Sequence, residues 1–217
     1  AFGNQKLRRN KSDTADARLI ARFLVAEQND LTPWAPKTTE NEQLTELVRY
    51  TESITREIAK LKTKCESAID PIVLKSLSRR IKSEQKELAA IRLRINAIIK
   101  SSDTIRKSDQ LIRSIPGIGE ISSHLMLAEI PDLTHFSNAR QLAAWAGVTP
   151  CHFVSGASGR PTTPITKVGS THLRRALFMP AMTARNNNPL LKTFADRLQE
   201  NGKKPKQIII AIMRKLL

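Results

Sequence analysis

Two heptad series with a proline between them set the frame of this chain. Leu44, Leu47, Thr51, Ile54, Ile58, Leu61, Cys65 and Ala68 alternate three and four residues apart. Leu74, Leu77, Ile81, Glu84, Leu88, Ile91, Ile95 and Ile98 do the same. An apolar stripe at this spacing runs along one side of a helix and has to be covered. Sustained over several heptads in each arm, it predicts coiled-coil packing. Asp70-Pro71 separates the series, and a proline suits the first turn of a new helix while ending the one before it. The two arms either fold back as a hairpin or pair between subunits. Thr51, Cys65 and Glu84 weaken the seam, which points to a partner chain sharing the burial. The alternative is an ordinary long-helix bundle.

Helical patterning continues on both sides. A helix is expected at about 12–28, with Asp13 and Asp16 three apart on one face beside an apolar stripe of Leu19, Ile20, Phe23 and Leu24. Pro33, Trp34 and Pro36 mark a linker at about 29–39. Past Asp109, Ile115-Pro116-Gly117-Ile118-Gly119 lies between two helical patterns, as in a helix-hairpin-helix. Glycines there let backbone N–H groups approach a phosphate, although a tight turn without a ligand reads the same way. A helix at about 137–146 with Ser137 as N-cap, a loop over 147–169, and helices at about 170–185, 189–201 and 205–217 complete the chain. No strand shows convincing alternation. The fold class expected is mainly α.

Charge then narrows the partners. The net charge is +16 in 217 residues. From Leu133 to Ala195 there is no acidic residue, where an even spread of the chain's 20 would place about six. The same stretch holds Arg140, Arg160, Lys167, Arg174, Arg175, Arg185 and Lys192, together with His135, His152 and His172. Ground cleared of carboxylates and supplied with guanidinium groups suits a polyanion. Within it lies Ser155-Gly156-Ala157-Ser158-Gly159-Arg160, and a hydroxyl in such a field is a candidate nucleophile toward phosphate. His152 and His172 are candidates for proton transfer. An anionic membrane surface is the competing partner, but no apolar run approaches the ~20 residues a spanning helix needs. Cys65 and Cys151 form no C-x-x-C pair, which argues against a zinc site or disulfide scaffold and fits a cytoplasmic setting. Few aromatics argue against recognition by stacked bases.

Several motifs then agree with one family. Lys11-Ser12-Asp13-Thr14-Ala15-Asp16-Ala17, followed by Leu19 to Phe23 and Pro33-Trp34, resembles the acidic box of insertion-sequence transposases of the IS110 group, also called DEDD, Piv-like or bridge-RNA-guided recombinases. Ile115 to Gly119, Ala146 to Pro150, Ser155-Gly156, Ile165 to Ser170 and Leu173 to Leu177 follow in the family's order, with a spacing similar to its IS1111 branch. The resemblance covers nearly the whole chain. It implies the end of a RuvC-like α/β domain at 1–35, a coiled-coil oligomerisation region at 36–108 and a helical C-terminal transposase domain at 109–217.

The resemblance also implies chemistry. Asp13 and Asp16 match the third and fourth members of an acidic tetrad that binds magnesium, for which hard oxygen ligands are suited. Ser155 matches the nucleophile that forms a phosphoserine link to DNA. Gly117, Gly119, Gly156, Arg160, Lys167, Arg174 and Arg175 are the expected nucleic-acid contacts. DNA, a structured guide RNA and further copies of the chain, as dimer or tetramer, are the implied partners. The first two tetrad members would lie upstream of Ala1, so residues 1–217 alone are expected to be inactive. Three departures matter. Ser12 replaces the usual Thr, Ser170 replaces a usual Asn, and Ser158-Gly159 is a second Ser-Gly that rivals Ser155. A non-catalytic coiled-coil and helix-hairpin-helix module that holds DNA or RNA is the other reading.

Overall fold

A computed structural model describes residues 12–29, 38–130, 136–151 and 163–217. The chain divides into two compact units, residues 1–36 and 37–217. Among the described residues the first unit contributes one helix, α1 (Asp13–Ala26), capped by the Ser12 hydroxyl, which accepts from the Ala15 N–H at 3.3 Å. On its apolar side Ile20, Phe23, Leu24 and Val25 are exposed and Leu19 is half-buried.

The described part of the second unit is mainly helical, with one isolated antiparallel bridge between Pro150 and Ile165. The heptad arms become α2 (Thr39–Ser67) and α3 (Pro71–Ser101). Asp70 caps α3, its carboxylate accepting from the N–H groups of Ile72 and Val73 at 2.7 and 3.3 Å, and Pro71 takes the first turn. With only Ala68, Ile69 and Asp70 between them, the arms fold back within the chain. The pairing is antiparallel: the Tyr50 hydroxyl donates to Glu87 at 2.7 Å, while Glu57, further along α2, meets Arg80, further back on α3. Leu44, Val48, Ile54, Ile58 and Leu61 of α2 and Leu77, Ile95, Ile98 and Ile99 of α3 are buried where the two helices pack together. Thr51, Cys65 and Glu84, the weak seam positions, are half-buried.

Six shorter helices follow among the described residues: α4 (Asp103–Arg113), α5 (Glu120–Glu129), α6 (Ala139–Trp145), α7 (Thr171–Asn187), α8 (Pro189–Glu200) and α9 (Pro205–Leu216). One core gathers the open end of the hairpin with α4 and α5, through Leu44, Val48, Ile95, Ile98, Ile99, Ile105 and Ala128. A second wraps α7, with Leu173, Leu177, Ala181 and Ala184 meeting Ile208, Ile212 and Met213 of α9. α5 packs on both α2 and α7, so it joins the two cores. The helix at 139–145 starts one residue later than Ser137 would set it. Asn138 is the cap, its amide oxygen accepting from the N–H groups of Arg140 and Gln141 at 3.0 and 3.1 Å. Ser137 instead donates its N–H to the Gln141 side chain. No described helix is long and apolar enough to cross a membrane.

Candidate functional site

Ser155, Gly156, Arg160, the rival Ser158 and His152 lie outside the described residues, but both edges of their segment are well defined. Gly147 to Cys151 runs antiparallel to Pro164 to Ser170. The Cys151 N–H donates to the Pro164 carbonyl at 2.7 Å, Thr166 to Thr149 at 2.9 Å, Lys167 to Gly147 at 3.2 Å and Ser170 to Trp145 at 3.1 Å. Pro150 and Ile165 form a bridge. The span read from sequence as a featureless loop over 147–169 is therefore a clasp along its two edges. Interleaved prolines and glycines hid it, since neither residue favours strands. The buried Thr149 hydroxyl has no partner among the described residues.

The clasp needs its glycines. Gly147 (φ +66°) and Gly169 (φ +123°) occupy conformations that side chains disfavour. A Cβ on Gly169 would stand 2.0 Å from the Trp145 carbonyl oxygen, and one on Gly147 2.5 Å from that of Val168. Lys167 is also left-handed, at φ +55°, and its side chain is exposed. Arg174 turns inward. Its guanidinium donates to the carbonyls of Ala146 and Gly169 at 3.1 and 3.3 Å and to the Thr171 hydroxyl at 2.9 Å, bracing the clasp. Arg175 is exposed on the other side of α7. A cavity of about 620 Å³ opens beside the clasp, lined by Pro150, Thr163, Pro164, Lys203, Gln207 and Arg214 among others.

A buried carboxylate ties this region to the hairpin. Glu129 ends α5 and accepts from the Arg49 guanidinium of α2 at 2.9 Å and from the Ser170 hydroxyl at 2.8 Å. Ser170 also caps α7, its Oγ accepting from the Leu173 N–H at 3.1 Å. The Thr45 hydroxyl donates to the Ala128 carbonyl at 3.0 Å. One charge thus fixes α2, α5 and the return edge of the clasp. Burial pushes the Glu129 carboxyl up, but the bonds from Arg49 and Ser170 with the charges of Arg49 and His172 outweigh it and hold the group below its ordinary 4.5.

His124, on α5, is buried, and its Nε2 has no hydrogen-bond partner among the described residues. Burial lowers its pKa below the ordinary 6.5; Arg113 adds to this, and Asp109 and Glu120 oppose it. The fold therefore holds the neutral imidazole. Above pH 6.5 both folded and unfolded chains are neutral there, and below it the unfolded chain takes up a proton that the folded chain resists. Glu129 acts below 4.5, where the unfolded carboxyl protonates first. The second unit is expected to lose stability in two steps on acidification, one below pH 6.5 and one below 4.5. Thermal melts across this range check it, and His124→Gln should remove the upper step alone.

The turn between α4 and α5 forms where the glycine motif predicts. Gly117 (φ +109°) lies against α7, and a Cβ there would stand 2.7 Å from that of Ala184. Its absent side chain serves packing. Gly119 caps α5 with open space around it. The first turn of α5 already carries a carboxylate, Glu120, held below the ordinary range chiefly by a 2.9 Å bond from Asn96. The buried Asp109 accepts from Ser123 and pairs with Arg113 at 3.5 Å, locking α4 to α5.

In the first unit Asp13 and Asp16 share the opening turn of α1, where the helix dipole favours their charge. Among the described residues no group of three or more His, Cys, Asp or Glu is placed to hold a metal. Two hard oxygen donors one turn apart fit a magnesium site as part of its ligand set and do not complete one.

Comparison with known proteins fits these features. A family model described as Transposase IS116/IS110/IS902 family matches residues 109–196, from the α4–α5 turn through the clasp to α8. A second, the DEDD transposase model of the IS110 type, matches residues 1–74 and so includes Asp13 and Asp16. The chain belongs to the IS110 group of transposases. Among curated relatives of this chain, the pilin gene-inverting proteins of Moraxella bovis and Moraxella lacunata are 35% identical over 210 residues, covering 96% of this chain and 64% of theirs. A 43.6 kDa protein of the insertion element IS110 of Streptomyces coelicolor is 28% identical over 145 residues, 66% of this chain and 34% of its own. The IS110-group chain thus spans a little under two thirds of the length of the Moraxella relatives.

Sequence reasoning missed Arg49 and Glu129, Asp109, and the basic residues Lys203 and Arg214 beside the clasp. Arg49 and Glu129 meet across 80 residues, and Asp109 meets Ser123 across 14. The glutamate at the end of an apolar helix was the one visible signal, because a charge there needs a partner.

Proposed function

We propose that this chain acts within a site-specific DNA recombinase of an insertion sequence. Strands are cut and rejoined through a serine ester at Ser155, with Asp13 and Asp16 in a magnesium-binding acidic site, and a structured RNA chooses the DNA. The organisation proposed is the end of a RuvC-like domain at 1–35, an oligomerising hairpin at 36–108 and a C-terminal transposase domain at 109–217. The observation that carries the reading is the clasp. It holds the two ends of the Ser155 segment a hydrogen bond apart, inside a 63-residue stretch without a carboxylate.

The chemistry balances without an external energy source. The serine oxygen bonds to phosphorus while the bridging oxygen of the cut strand leaves and takes up a proton. A hydroxyl of another strand then attacks the serine ester and restores Ser155. Magnesium, when bound, supplies Lewis-acid stabilisation of charge on the attacked phosphate. Asp13 and Asp16 would hold it, Arg160 and Lys167 would hold phosphate oxygens, and Arg174 keeps the clasp in shape. A guide RNA suits a basic surface that grips backbones more than it reads bases.

The acidic site is tested in a protein carrying a complete RuvC-like domain. Asp13→Asn and Asp16→Asn should each lower strand exchange by about a hundredfold or more while DNA binding stays within about twofold. Exchange at the unaltered rate in both variants would remove the acidic site from the reading.

A further inference from the structure

A second cavity, of about 400 Å³, lies where the hairpin meets α5 and α7, away from the clasp. Its floor is apolar, built on Val48, Ile95 and Leu125, of which the first two are 2% exposed. Its lining includes three arginines from three helices, Arg56 of α2, Arg92 of α3 and Arg175 of α7. All three are exposed, and among the described residues none is in an ion pair. Arg56 donates to the Glu52 carbonyl at 3.2 Å. The one lining carboxylate, Glu52, is taken up by His172 Nδ1 at 2.6 Å. His124 also lines the cavity, with its buried and unpartnered Nε2.

These features ask for a ligand of three parts. Three guanidinium groups against one carboxylate that His172 already holds ask for an anion, and phosphate suits their fork of donors. The apolar floor asks for a flat or aliphatic body, and a polar atom left unpaired in burial asks for a hydrogen-bond partner. A free phosphate leaves the floor empty, and an apolar ligand leaves the arginines unused. A nucleotide carries all three, and the volume lies in the range of small-molecule sites. We propose that this cavity holds one nucleotide of a nucleic-acid strand, its phosphate among Arg56, Arg92 and Arg175, its sugar and base on the Val48–Ile95–Leu125 floor, and a base edge on His124 Nε2. The site rests on the reading of this chain as acting on nucleic acid. It also gives the hairpin a part in holding the strand.

Two measurements on the whole chain test it. In the first, NMR follows the His124 ring and the Ile95 and Leu125 methyls while deoxyadenosine monophosphate, adenosine monophosphate or inorganic phosphate is added. Either nucleotide should shift all three signals, and inorganic phosphate should leave them in place. Equal shifts with phosphate, or none with either nucleotide, overturn the proposal. In the second, Arg56→Gln, Arg92→Gln and Arg175→Gln should each weaken binding of a single-stranded oligonucleotide about tenfold, the tighter of DNA and RNA naming the strand. Unchanged binding in all three variants overturns the nucleotide site and leaves the recombinase reading standing. A chain that binds neither strand at low salt removes both.

Discussion

Gly169→Ala is expected to cost about 3 kcal/mol or more of the second unit's stability, a large share of the ~5–15 kcal/mol typical of a folded domain. Two effects add. At φ +123° the backbone is outside the regions open to an L side chain, and a residue held in such a region costs about 1–3 kcal/mol. The new Cβ would also stand 2.0 Å from the Trp145 carbonyl oxygen, so the return edge of the clasp has to move away from Trp145. That movement breaks the Ser170 to Trp145 hydrogen bond and loosens the carbonyl of Gly169 that Arg174 holds. A melting temperature lower by roughly 10 °C follows for a unit of this size. Gly202→Ala is the matched control. Gly202 also has a positive φ, +70°, but its missing Cβ faces open space, and about 1 kcal/mol is expected there. Equal losses in the two variants would show that backbone conformation alone matters and that the clasp is not tightly closed.

Ser155→Ala has the other large effect, and it falls on chemistry. In a protein with a complete RuvC-like domain the change should abolish strand exchange and leave DNA affinity within about twofold, because a single neutral hydroxyl adds little beside so many cations. Stability should also stay unchanged, since the clasp is held by backbone bonds of residues 145–151 and 164–170. Ser158→Ala, three residues on, should keep most of its activity. Binding and exchange lost together would assign Ser155 to shaping the segment, and activity retained would pass the nucleophile's role to another residue.

Much of this architecture is legible in the sequence because it is set locally. Ser12, Asp70 and Ser170 are short polar residues at helix starts, and each caps the helix it precedes. The heptad spacing located both long helices. Their pairing within the chain is settled by the three-residue link and by the open end resting on α5, features the stripe itself does not encode. The clasp escaped notice because its bonds join residues about twenty apart through a glycine- and proline-rich stretch. Arg174 shows the limit at a single residue. Two adjacent arginines read alike in sequence, yet a turn of the helix sends one into the carbonyls of the clasp and leaves the other in solvent. Arg56 and Arg92 lie outside the heptad stripes, and the packing of α5 and α7 on the hairpin brings them to one cavity.

The most direct measurement of the central claim is covalent trapping. A protein with a complete RuvC-like domain is given magnesium, guide RNA and a nicked DNA substrate, the product is digested, and mass spectrometry follows the peptide that spans residues 152–162. A nucleotide adduct, placed on Ser155 by fragment ions, is the result expected. No adduct while salt-sensitive binding persists, or an adduct placed on Ser158, would contradict it.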